Sequence, residues 1–166
     1  MRNNPALEIE VMMKRRKTSQ KRFLACLGIS LLTFFFAANA VGAEYGSVTK
    51  DGVNIRSGPD NNAEVYWEVF KDFPLKVLQR KNDWAKVEDF EGDSGWMYAP
   101  LLSNKKTVII KAKKANIRVG PGENYEIAAS ALYGVVFTPG KTEGDWVQIT
   151  HADGTKGWIN KSLIWP

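Results

Sequence analysis

A six-residue block, Asn54-Ile55-Arg56-Ser57-Gly58-Pro59, returns as Asn116-Ile117-Arg118-Val119-Gly120-Pro121, an offset of 62 (116 − 54). The same offset carries Asp83-Trp84 onto Asp145-Trp146, Gly95-Trp96 onto Gly157-Trp158, and Leu101 onto Leu163. No gap is needed between these anchors. Aligning 53–102 with 115–164 gives thirteen identical pairs, where ordinary composition yields roughly three by chance. One folding unit is therefore present twice, in segments 44–103 and 104–166. A unit of about 60 residues is at the small end of what folds alone. The two are expected to pack on each other or to rely on their aromatic residues.

The pattern within each unit is β. Val53-Asn54-Ile55-Arg56, Leu75-Lys76-Val77-Leu78, Trp84-Ala85-Lys86-Val87 and Gly95-Trp96-Met97-Tyr98 read as short strands separated by turn residues. Unit two repeats them at Val135-Val136-Phe137, Trp146-Val147-Gln148-Ile149 and Gly157-Trp158-Ile159-Asn160. Ala85 and Val87, like Val147 and Ile149, face one side; Trp84, Lys86 and Glu88, like Trp146, Gln148 and Thr150, face the other. Glu91-Gly92 and Asp153-Gly154 lie where a tight turn joins this strand to the Gly-Trp strand. A helical turn is expected within 63–72. Regular short strands without a long helical pattern mean an all-β chain of two small barrels or sandwiches.

Residues 1–43 are of another kind. Lys14-Arg15-Arg16-Lys17 and Lys21-Arg22 precede an apolar run from Phe23 to Ala38. Small residues then offer cleavage after Ala40 or Ala43. This is the pattern of a secretory signal peptide, with an ordinary leader length if synthesis starts at Met12 or Met13. The alternative is an uncleaved anchor, the one way this chain would engage a membrane. However, the run is shorter than the ~20 residues a spanning helix needs. The expected location is thus periplasmic or extracellular.

Cleavage removes the only cysteine, Cys26, and with it any disulfide or thiolate chemistry. It also removes seven of the 23 basic residues and two of the 18 acids, which leaves sixteen of each. A mature chain of zero net charge lacks the basic footprint that nucleic-acid binding requires. Asn104 to Lys114 holds five lysines and no acid. One reading is a basic patch for an anionic partner such as teichoic acid, lipid or nucleic acid. The favoured reading is a solvated junction with an edge strand, Thr107-Val108-Ile109-Ile110, that lysine protects from edge-to-edge pairing.

Asn-Ile-Arg-x-Gly-Pro, then Asp-Trp, then Gly-Trp with a Leu five residues later, resembles the bacterial SH3-like domain. Both copies match and together cover nearly all of 45–165. The resemblance implies two five- or six-stranded, partly open SH3-like β-barrels in tandem. It further implies an extracytoplasmic binding module of the kind often attached to cell-wall hydrolases. The partner implied is a cell-wall glycopeptide or an envelope protein. The alternative is a structural or regulatory subunit of an envelope signalling or cell-wall hydrolase complex. Ala131-Leu132-Tyr133 is similar to the opener of eukaryotic SH3 domains but lies too close to Trp146 for that register, so proline-rich recognition is not implied.

Catalytic groups are scarce. A cysteine nucleophile leaves with the leader, and one histidine, His151, is too few for a zinc site. Glu88 and Asp89 are neighbours and point opposite ways. The chain reads as a non-enzyme without metal or cofactor. Asn54, Arg56, Gly58, Pro59, Gly95, Trp96 and their partners Asn116, Arg118, Gly120, Pro121, Gly157, Trp158 read as framework. For Arg56 and Arg118, a bond to turn carbonyls is favoured over bidentate grip of a ligand carboxylate. Ligand contact is expected from Tyr66, Trp67, Trp84, Tyr98 and Trp146, whose rings suit a glycan or peptide. Tyr66, Trp67 and Tyr98 align with Ala128, Ala129 and Asn160, which places an aromatic surface in unit one.

Overall fold

A computed structural model describes residues 43–166; the expected leader lies outside them but for Ala43. The alternating apolar runs form strands. Unit one holds β1 (Glu44–Val48), β2 (Val53–Arg56), β3 (Val65–Val69), β4 (Pro74–Lys81), β5 (Trp84–Glu88), β6 (Ser94–Tyr98) and β7 (Leu102–Ser103). Unit two holds β8 (Val108–Ile110), β9 (Lys114–Arg118), β10 (Ile127–Leu132), β11 (Val136–Glu143), β12 (Trp146–Thr150), β13 (Lys156–Asn160) and β14 (Ile164–Trp165). A single 3-10 turn, Ala99–Leu101 or Lys161–Leu163, leads into each final strand.

Each unit is one antiparallel sheet of seven strands, in the order β3-β2-β6-β5-β4-β1-β7 and β10-β9-β13-β12-β11-β8-β14. The duplication thus reproduces topology as well as sequence. Register shifts in β4 between Val77 and Gln79, and in β11 between Pro139 and Thr142, bend the long strands around their cores. The sheets are not closed into barrels, and each has seven strands where five or six were expected. Closure needs a hydrogen-bonded ladder across the seam. Among the described residues, β3 and β7 share none, nor do β10 and β14, and β7 and β14 have only two residues each.

Two local expectations also change. The segment read as a helical turn is strand β3, with Val53 opposite Val69 and Ile55 opposite Trp67. Its Val-Tyr-Trp-Glu-Val sequence favours a pleated surface, and pairing with β2 decides the matter. The strand read as a lysine-protected edge is interior. β8 lies between β11 and β14, and Val108, Ile109 and Ile110 are all buried.

The faces of β8 serve different cores. Val108 and Ile110 join Ile117, Phe137, Val147, Ile149 and Ile159 of unit two. Ile109, on the opposite side of the strand, joins Val48, Ile55, Phe73, Leu75, Val87 and Met97 of unit one, with Val136 and Trp165 packed beside it. Polar contacts reinforce this junction. Thr107 Oγ1 donates to the Asp72 carbonyl at 2.8 Å, Ser47 Oγ donates to the Lys105 carbonyl at 2.9 Å, and Lys105 pairs with Asp72 at 2.8 Å. Tyr45 meets Trp165 edge-on at 5.5 Å, and Phe90 lies 5.2 Å from Tyr133. The units therefore pack on each other through a shared apolar wall.

Ile109→Ala is expected to destabilise the protein by about 2–5 kcal/mol, the usual cost of truncating a buried isoleucine. Because the side chain sits in unit one and its backbone in unit two, tryptophan fluorescence during urea unfolding should show one transition moved as a whole. Two transitions with only one displaced would contradict the shared wall.

Candidate functional site

The exposed face of unit one follows from strand alternation. β5 reads partly exposed, buried, partly exposed from Trp84 to Glu88, and β6 repeats the pattern with Gly95 and Met97 buried. Trp84 pairs across the strands with Tyr98, Lys86 with Trp96, and Glu88 with Ser94. Trp84 and Tyr98 meet edge-to-face at 6.1 Å, and Tyr98 is 44% exposed. Arg56 on β2 lies opposite Trp96. Trp96 is thus flanked by cationic stems, with an aromatic pair one register step away.

The same step in unit two sets Trp146 opposite Asn160. Asn160 is occupied, since its Oδ1 accepts from the Ser162 amide at 3.0 Å and caps the 3-10 turn. Tyr98 makes no such cap. Trp146 therefore stands without the ring neighbour that Trp84 has.

Tyr66 and Trp67 lie elsewhere. They stack at 6.1 Å, and Trp67 packs against the unit-one core. Its Nε1 is buried without a hydrogen-bond partner among the described residues. The five expected ligand residues thus fall into three places. Trp84 and Tyr98 share the outer face, Tyr66 and Trp67 sit beside the core at β3, and Trp146 belongs to unit two. The register that puts Trp67 over Ile55 also turns it away from Trp84.

The duplicated framework has a physical account. Arg56 Nη1 donates to the Ala63 carbonyl at 2.8 Å, and Arg118 Nη1 to the Tyr125 carbonyl at 2.7 Å. Each guanidinium closes its own turn. A methyl group on Gly95 would sit 2.5 Å from Ile55 Cγ2 and 2.9 Å from the Arg56 carbonyl; on Gly157 it would meet Ile117 and Arg118 at 2.4 and 2.8 Å. Close strand approach requires both glycines. Gly120 lies under the Tyr125 ring, which a methyl group would strike at 2.3 Å, whereas Gly58 has room beside Ala63.

The turn from β5 to β6 brings Asp89, Glu91 and Asp93 together, with one carboxylate oxygen from each within 4.8 Å of the others. Asp89 is buried, and its Oδ1 accepts from the amides of Glu91 at 2.9 Å and Asp93 at 3.1 Å. Glu91 accepts from the Tyr133 hydroxyl of unit two. Unit two has His151, Asp153 and Thr155 at the matching positions. Asp153 accepts from the Thr155 amide at 2.8 Å and pairs with His151 Nδ1 at 3.0 Å. These bonds, the one from Thr155 foremost, hold the Asp153 carboxyl down from 3.8 to about 2.

Between the units lies a groove of about 480 Å³, walled by Tyr45, Val108, Pro139 and Ile164, with Lys106 and Lys161 on its lining. Sequence reasoning passed over it. The lysine run was visible, but its interpretation rested on an edge strand that proves to be interior.

The model of the bacterial SH3 domain matches residues 49–104 and 111–166. The chain belongs to the bacterial SH3 domain family. Among curated proteins it is 23% identical over 128 residues to "Putative N-acetylmuramoyl-L-alanine amidase YrvJ" of Bacillus subtilis (strain 168). That match takes in 70% of this chain and 24% of YrvJ, so the chain spans about a quarter of that relative's length. Among solved structures, NlpC1 from Trichomonas vaginalis is 16% identical, covering 84% of this chain and 52% of its own, at a TM-score of 0.35. An NlpC/P60 family protein from Bacillus cereus ATCC 10987 is 14% identical, covering 73% and 55%, also at 0.35. Both likenesses are too loose to carry an argument.

Two outcomes follow from the turns. Arg118→Met is expected to cost roughly 1 kcal/mol in thermal unfolding, the net worth of one hydrogen bond, while leaving ligand binding intact; lost binding at unchanged stability would instead mark a ligand grip. An acid with a depressed pKa contributes stability above its unfolded pKa and loses it as pH falls through the folded value. The 151–155 turn should therefore loosen as pH falls from about 4 to about 2. The Thr155 amide NMR shift should report this, with a flat profile in Asp153→Asn; a flat profile in the unaltered chain would contradict the bond.

Proposed function

We propose that this chain is an exported, non-catalytic binding module of the bacterial envelope whose ligand is peptidoglycan. The supporting observation is the aromatic pair Trp84–Tyr98, which stands on the outer face of unit one beside Trp96 and Lys86. An exposed edge-to-face aromatic pair with a cationic side chain beside it suits a polymer of sugars and short peptides. The sugar faces pack on the rings, and peptide carboxylates meet the charge. The family match supports the reading, as does a relative whose name refers to cleavage at N-acetylmuramoyl-L-alanine. The signal-peptide pattern in residues 1–43 supports export.

A second reading is a regulatory partner subunit of an envelope hydrolase or signalling complex. It draws on Val119, Tyr125 and Ile127, which leave large apolar side chains exposed in unit two. Ile127, 47% exposed, is a suitable position for a photoreactive cross-linking probe.

Retention on purified sacculi at physiological salt is the deciding measurement. The Trp84→Ala, Tyr98→Ala double variant should release the protein, with affinity down roughly tenfold, as expected for two aromatic contacts of about 0.5–1.5 kcal/mol each. No retention of the unaltered protein, together with one discrete adduct from a photoreactive group at position 127, would replace the first reading with the second.

A further inference from the structure

The lysine run 105–114 and Lys161 are outside the duplicated framework. Lys105, Lys106 and Lys161 align with Ala43, Glu44 and Ala99. These cations therefore belong to the tandem arrangement, not to the single unit. The structure also removes the reason first given for them, because strand β8 is paired on both sides and needs no protection against edge pairing.

All three lysines instead line the groove between the units. Lys105 is neutralised by Asp72 at 2.8 Å. Lys106 Nζ donates to the Tyr45 carbonyl at 2.9 Å, and Lys161 Nζ to the Gly144 carbonyl at 2.6 Å. Those acceptors carry no charge, so the ammonium groups are positioned without being neutralised. Glu44, the acid whose charge reaches Lys106, is bonded directly by Arg80 at 2.5 Å, and that guanidinium takes the larger share of its charge. No aspartate or glutamate lines the groove. In a mature chain of zero net charge, this is a local concentration of cations over an apolar floor.

The floor and walls are Tyr45, Val108, Pro139, Val147, Ile164 and Pro166. A groove of about 480 Å³ falls within the roughly 300–1,000 Å³ typical of small-ligand sites. A polyphosphate chain would satisfy the lysines but leave the apolar walls wet. A short peptide satisfies both, with carboxylates on Lys106 and Lys161 and aliphatic side chains on the walls. We propose that the inter-unit groove binds a short peptide carrying free carboxylates, a site separate from the Trp84–Tyr98 face. This inference rests on the reading of the chain as an envelope binding module.

The test uses the purified full chain and two synthetic probes. One is acetyl-Ala-Glu-Val-Ala with a free terminal carboxylate; the other is acetyl-Ala-Gln-Val-Ala-amide, which has the same shape and no charge. The acidic peptide should shift the amide NMR signals of Gly46 and Gly140 in the groove, and its affinity should fall as salt rises. The neutral peptide, and the Lys161→Gln and Lys106→Met variants with the acidic one, should each bind at least about tenfold more weakly. Lys161→Gln lies outside the shared wall, so the test survives if Lys106→Met disturbs the fold.

Equal binding of the two peptides, shifts confined to Trp84 and Tyr98, or binding of polyphosphate in place of the peptide would each overturn the proposal. Sacculus retention that persists in both lysine variants, with no peptide bound in the groove, would overturn this site and leave the envelope-binding reading standing. Loss of sacculus retention in the unaltered chain, with the peptide still bound in the groove, would do the reverse.

Discussion

The structure depends on Ile109. Its backbone belongs to the second sheet, hydrogen-bonded between β11 and β14, and its side chain is buried in the first core. A sheet of about 60 residues buries a modest fraction of its surface. It gains much from a neighbour's apolar face, and here β8 supplies that face to both sides. The junction residues 104–107 cannot then act as a free tether. Ser47, Asp72, Lys105 and Thr107 bond across it, and the groove with its lysines exists because the two sheets are held in that relation.

The two copies diverge where packing or surface permits. Gly120 is needed beneath the Tyr125 ring, whereas Gly58 faces the small Ala63. Trp84 meets Tyr98, whereas Trp146 faces an asparagine already engaged in capping a turn. The acidic turn of Asp89 becomes the His151–Asp153 turn in the second unit, and both keep the chain reversal by a carboxylate accepting backbone amides. The repeat thus conserves the mechanics of each turn while changing the surface it presents.

Much of the fold was legible because strand alternation has a fixed period. Ala85 and Val87 inward, Trp84 and Lys86 outward, can be read from four letters, and burial follows that pattern in β5 and β12. The Arg-x-Gly-Pro turns were legible as turns. The grouping of aromatic residues was not. Trp67 and Trp84 are equivalent as letters, and only the pairing of Trp67 with Ile55 sends one indole toward the core and leaves the other on the outer face.

What the sequence by itself determined is the unit: its duplication, its strands, its turns and its membership of a family, all of which rest on local periodicity and near neighbours. What only the tertiary structure decided is how the units join. Val108-Ile109-Ile110 reads equally well as an edge strand or as an interior one. The choice depends on whether β14 returns to pair with β8 and on whether a second core waits on the far side, and both are contacts between residues distant along the chain. That choice turned a lysine run that looked like protection for an edge into the lining of a groove.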